Sequence, residues 1–197
     1  MILEAMLQIK NDLQQYIVDA EQSGGTEDIV ILDNIARSED TSSSNGIPDK
    51  RIIMSLVNLQ EEATLKNEPY NQLDNSRTVY RNPPVHLNLF ILFSALYREQ
   101  YDLALKSLSR VIEFFQWRKE LSFTTVSSTD NPPRTVQIVP DLYSLTFEQL
   151  NYLWGSLGGK QVPFALYRFR IVPLEAEKRA AEGVPITAIS IHTNGSM

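Results

Sequence analysis

From Val85 to Phe93 the chain alternates with a period of two. Val85, Leu87, Leu89, Ile91 and Phe93 share one face, while Phe90 and Leu92 follow His86 and Asn88 on the other. Successive side chains of a strand point to opposite faces, so this strand has almost no face to give to water. It must run through the middle of a sheet with a layer packed on each side, polar only at the end that carries His86 and Asn88. Pro83-Pro84, immediately before it, disfavours a helical approach and delivers the chain already extended. Arg51 to Leu59 repeats the pattern, with Ile52, Met54 and Leu56 alternating against Ile53, Ser55 and Val57, and predicts a second strand covered on both faces.

Strands of this kind need helices to cover them. Over residues 2–20, Ile2, Leu3, Met6, Ile9, Leu13, Tyr16, Ile17 and Ala20 recur at helical spacing with Lys10, Asn11, Asp12, Gln14 and Gln15 between them. Residues 101–117 do the same, setting Ala104, Leu108, Val111, Ile112 and Phe115 opposite Lys106, Arg110 and Glu113. Thr146-Phe147-Glu148-Gln149 is a capping box, flanked by Leu145 and Leu150 at staple positions, and it starts a helix that buries Leu150, Leu153, Trp154 and Leu157. Gly158-Gly159 supplies that helix with its left-handed stop.

Further strands are expected at Ile29–Leu32, at 163–172, and at Leu121–Val126 with Thr135–Val139, the last two forming a hairpin. The stretches 38–50, 66–82 and 127–135 read as polar loops. Leu174–Glu182 is rich in helix formers, and beyond Gly183 and Pro185 residues 186–193 alternate again as a strand. The 197 residues fit one domain. The expectation is an α/β fold of the α+β kind: a mainly antiparallel sheet with packed helices over 1–173, and a C-terminal extension over 174–197.

Composition removes several chemistries. With no cysteine there is no thiolate nucleophile and no sulfur ligand, and only His86 and His192 could offer imidazole. A net charge of −6 lacks the basic footprint of a nucleic-acid binder. No apolar run approaches the roughly 18 residues of a membrane span, and Met1–Met6 has no basic lead-in, so synthesis and assembly in the cytoplasm are expected. Glu61-Glu62 could bind a cation or do acid–base work only if a cleft held them with a third group such as His86; a solvated turn, or an ion pair with Lys66 or Arg81, is the plainer reading. For His86 the plainer reading is a hydrogen-bonded structural histidine. Tyr167-Arg168-Phe169-Arg170 interleaves cations and rings, which in an acidic chain reads as a sheet face awaiting carboxylates. No catalytic residue, cofactor or metal site is expected.

A set of ordered stretches spread over about residues 1–175 resembles the N-terminal domain of the tail-terminator (cap) proteins of extracellular contractile injection systems, the antifeeding-prophage-like particles. They include Ser55-Leu56-Val57-Asn58-Leu59-Gln60-Glu61-Glu62, Pro83-Pro84-Val85-His86-Leu87-Asn88-Leu89, Leu108-Ser109-Arg110-Val111-Ile112, Leu145-Thr146-Phe147-Glu148-Gln149-Leu150, Leu153-Trp154-Gly155 and Tyr167-Arg168-Phe169-Arg170. The chain departs from the family at Pro163-Phe164, where a proline-serine pair is expected.

The resemblance implies a structural subunit with no turnover: a homohexameric ring that closes the distal end of the inner tube and sheath of a phage tail-like particle. Such a particle is released outside the cell. An adaptor that tethers the particle or loads cargo, or a small-molecule enzyme, are the other readings. The expected partner-binding residues are Ile186, Ile189 and Ile191 of the terminal strand, together with Arg168 and Arg170, with the three polar loops including the tube-facing surface.

Overall fold

The computed structural model describes residues 2–21, 28–39, 46–62, 71–74, 77–80, 85–125, 134–174 and 181–183. Its elements in chain order are α1 (Ile2–Glu21), β1 (Val30–Leu32), a 3-10 turn (Ile35–Glu39), β2 (Arg51–Glu61), β3 (Asn71–Asp74) and β4 (Arg77–Tyr80). They continue with β5 (Val85–Leu96), α2 (Tyr101–Trp117), β6 (Leu121–Thr125), β7 (Arg134–Leu142), α3 (Phe147–Ser156), β8 (Phe164–Leu174) and β9 (Ala181–Gly183). Six strands form one sheet in the order β1-β2-β5-β8-β7-β6, and β3-β4-β9 form a small second sheet. Every pairing is antiparallel except that of β1 with β2. The fold is therefore α+β, as the alternation pattern predicts.

β5 lies in the interior, between β2 and β8, and its residues from His86 to Leu96 are buried. On one face, Leu89, Ile91 and Phe93 meet Tyr167, Phe169 and Ile171 of β8 and Ile52 and Met54 of β2, all beneath α1 and α2. Aromatic rings knit this layer: Phe93 lies 5.3 Å from Phe115, 5.9 Å from Tyr167 and 6.2 Å from Phe169, centroid to centroid. Burial pushes the Tyr167 phenol up to about 12, because its anion would be desolvated there. α1 contributes Ala5, Met6, Ile9, Leu13 and Ile17, one stripe at helical spacing. Its Gln14 is not a bystander on the polar side, since its Oε1 accepts from the backbone N–H groups of Ile29 (2.9 Å) and Val30 (2.8 Å) and ties α1 to β1.

The opposite face carries Ile53, Phe90, Leu92 and Leu166, packed under Trp154 of α3 with Ile35 and Ile47. The capping box of α3 forms as the sequence requires: Thr146 Oγ1 accepts from the Gln149 N–H, and the Gln149 side chain accepts from the Thr146 N–H. Gly158 and Gly159 take φ of 104° and 86°, a left-handed stop that a β-carbon would strain.

Several expectations need correction. The stretch 66–82 is not simply a loop, since β3 and β4 pair within it. Asn71 and Asp74, polar residues that suggested a loop, fall on β3, where pairing with Tyr80 and Arg77 of β4 outweighs their local preference. Ala181 and Glu182, placed among helix formers, form β9 with Gly183 against β4, where pairing to a neighbour outweighs local propensity. β2 is covered on both faces only over its first half, because Leu56 and Leu59 are 41% and 45% exposed. In α1, Leu3 and Ala20 fall on the wet side of the helix. In α2, Ser107 and Phe114 are buried while Leu108 and Ile112 are half-buried, so the inner face is turned slightly from the one the spacing suggests.

Candidate functional site

α3 and the segment around Ile47 cover only part of the sheet's second face. Beyond them, toward the end of β5 that carries His86, the side chains become polar in step across the strands. Cross-strand register sets Asn88 opposite Gln60 on one side and Arg170 on the other, and Phe90 opposite Asn58 and Arg168. Arg170 and Arg168 in turn face Val139 and Asp141 of β7. Alternation puts Arg168 and Arg170 on the same face as Phe164 and Leu166, so the strand that lines the core under α3 becomes a polar ledge farther along.

One carboxylate organises both arginines. Asp141 Oδ2 lies 3.1 Å from Arg168 Nη2 and 3.2 Å from Arg170 Nη2. This is the carboxylate that the Tyr-Arg-Phe-Arg pattern was expected to find. The three side chains are roughly a third to a half exposed, so water screens the pairs and they orient the guanidinium groups more than they stabilise the fold. Donors remain available to a partner.

Beside Arg170 lies a cavity of about 170 Å³ lined by Glu62, His86, Leu87, Asn88, Val139 and Ile171. Asn88 Nδ2 donates to Glu62 Oε2 at 2.9 Å, and the Glu62 N–H donates to the His86 carbonyl at 2.8 Å. His86 is buried, yet among the described residues neither ring nitrogen has a hydrogen-bond partner, so of the hydrogen-bonded structural histidine expected from the sequence only the burial is found. The sequence raised a pocket holding Glu61, Glu62 and His86 together as the signature of an enzyme. The cavity brings Glu62 to His86, and Glu61 does not line it. Among the described residues no three His, Cys, Asp or Glu side chains come together to hold a metal.

Ile186, Ile189 and Ile191 lie outside the described residues, as do 40–45, 66–70, 75–76, 81–82 and 127–133 of the three polar loops. The feature that sequence reasoning missed is the polar ledge as a unit. Its strands come from distant parts of the chain, so the sequence marked the arginine pair, the polar end of β5 and Glu62 separately and did not show that they meet.

The Pvc16 N-terminal domain family matches residues 6–188, nearly the whole chain. The chain belongs to that family. Two solved structures share the fold of this Pvc16 N-terminal domain. One is the sheath/tube terminator of PVC, an extracellular contractile injection system, in its extended state (TM-score 0.53, 15% identity, 94% of this chain and 63% of that one). The other is the tube-terminating cap of the anti-feeding prophage (TM-score 0.60, 14% identity, 98% of this chain and 62% of that one). The Pvc16 N-terminal domain thus spans just under two thirds of the length of these solved relatives. No curated protein matches it. Among the described residues no helix is long and apolar enough to cross a membrane.

Proposed function

We propose that this domain is the core of a structural cap: a subunit of a homohexameric ring that closes the distal end of the inner tube and sheath of a contractile injection particle and ends their polymerisation. The observation that carries this reading is the family match over residues 6–188, supported by a shared fold with two tube terminators. A ring of six matches the symmetry that a six-fold tube and sheath would present. The role needs no turnover, cofactor or metal, and its chemistry is that of docking. The particle would assemble in the cytoplasm and act outside the cell.

In this reading the polar ledge with Arg168 and Arg170 is one docking surface, and the terminal segment with Ile186, Ile189 and Ile191 is another, adding a strand to a sheath or neighbouring cap subunit. The test is removal of the protein from assembling particles. Tails of uncontrolled length, or with unstable sheaths, are the expected result, and uniform, stable tails would overturn the reading. Deletion of residues 184–197 is expected to leave the subunit folded and to weaken its hold on the particle.

A further inference from the structure

β2 is protected along only part of its outer edge. β1 pairs with residues Ile52 to Met54 and then stops. The Ser55 hydroxyl ends it, donating to the Asp33 carbonyl at 2.6 Å and accepting from the Ile35 N–H at 3.0 Å, which turns the chain away into the 3-10 turn. The Ile52 N–H serves Ile29 (2.8 Å) and the Met54 carbonyl serves Asp33 (3.3 Å) on the β1 side. Backbone groups of a strand alternate in direction, so the N–H and C=O of Leu56 point to the same side, where β1 no longer exists. From Leu56 to Gln60 no described strand pairs with this edge.

The edge is partly guarded. A bulge falls between Leu56 and Asn58, and Asn58 Oδ1 occupies the Leu59 N–H at 2.9 Å. Beside it runs an open groove of about 600 Å³, mostly aliphatic, with Leu3, Met6, Leu32 and Leu56 on its walls and Asp33 and Asn34 as polar members of the lining. Leu3, Leu56 and Leu59 are 62%, 41% and 45% exposed. An open backbone edge beside an aliphatic groove fits one kind of ligand, an uncharged extended strand with branched aliphatic side chains at alternate positions. Residues 184–197 of this chain carry such a segment: Ile186, Ala188 and Ser190 alternate with Thr187, Ile189 and Ile191, and no Asp, Glu, Lys or Arg interrupts them.

We infer that the Leu56–Gln60 edge of β2 and its groove are the acceptor for residues 186–191 of a second copy of this chain. The inference deepens the cap reading by naming the acceptor. Donation of a strand from each copy to the next is a head-to-tail contact, the kind that closes into a ring when the rotation permits. The opposite edge strand, β6, is met by α1.

The absence of cysteine makes the test clean. Full-length Leu56→Cys and full-length Ile189→Cys, each carrying a single thiol and one of them tagged, are mixed under mild oxidation. About tenfold more tagged–untagged disulfide dimer is expected than when Gln137→Cys, an exposed position on the interior strand β7, replaces Leu56→Cys, because docking raises the effective thiol concentration. A yield no higher than with Gln137→Cys overturns the acceptor. A Leu56→Cys, Ile189→Cys double variant that closes only within one chain shows the segment on its own β2, and overturns the exchange between copies. Cross-linking with normal tails in the deletion strain would retain the exchange and remove the cap reading; capped tails without cross-linking would do the reverse.

Discussion

The two faces of the central sheet are made by the same strands and end differently. On the side of α1 and α2, Phe93, Phe114, Phe115, Tyr167 and Phe169 touch one another beneath two long helices. On the other side a ten-residue helix sets down one buried aromatic, Trp154, against Phe164 at 5.5 Å, and past it the strands turn polar. The first face is finished within the subunit. The second is finished only in part, and its Arg168, Arg170 and Asp141 keep contact with solvent. A domain that works by docking needs both, one side to hold its shape and one side on which recognition can be written without undoing the core.

That contrast predicts a graded response to substitution. Phe93→Ala removes a ring with no exposed surface at the centre of the aromatic layer and is expected to cost about 4 kcal/mol, read from denaturant unfolding. Trp154→Ala should cost somewhat less, about 3 kcal/mol, because it is 4% exposed where Phe93 is fully buried and, among the described residues, its indole N–H has no partner to lose. An unchanged melting temperature for Trp154→Ala would mean that α3 does not cover the second face. Equal losses for the two variants would erase the distinction between the faces.

Tyr167 offers a probe that needs no cavity. Its phenol ionises near 10 in the unfolded chain and at about 12 when folded, so this shift adds nothing to the pH dependence of stability near neutrality. As pH rises through 10 the unfolded chain loses this proton first, and stability should fall by about 2–3 kcal/mol by pH 12. The difference in that slope between the protein and Tyr167→Phe isolates the one group. A difference of zero would place the hydroxyl in water. The smallest effect is expected on the ledge, where Asp141→Asn should change stability by less than about 1 kcal/mol while freeing both guanidinium groups. A larger loss would make the ledge part of the core.

The sequence made the covered strands and the bounded helices readable because their signals are local. Two-sided alternation fixed β5, and the Thr146 box with Gly158-Gly159 fixed both ends of α3. The polar ledge was legible only in pieces, as Arg168 with Arg170, the polar end at His86 and Asn88, and Glu62; Asp141 was missed, and the pieces join through strand register, a quantity set by pairing between distant segments. Gln14 was missed for the same reason, because its backbone partners Ile29 and Val30 belong to another element. The open edge of β2 was hidden by the strength of its own pattern: alternation reports which face is apolar and says nothing of whether a neighbouring strand runs the full length.

The pairing of β5 with β8 sets a schedule for the chain's birth. Ser94 lies opposite Phe164 and Val85 opposite Leu174, so the two strands at the heart of the sheet are separated in sequence by α2, the β6–β7 hairpin and α3. A ribosome delivers β2 and β5 together, and they can pair at once, but their apolar surfaces wait until the chain has been extended through β8. During that interval Leu89, Ile91 and Phe93 lack their β8 partners Phe169, Tyr167 and Ala165, and any pause between α2 and β8 lengthens the exposure. Completion of the central sheet therefore waits on β8, and truncations that remove β8 are expected to appear as aggregation before any loss of docking shows.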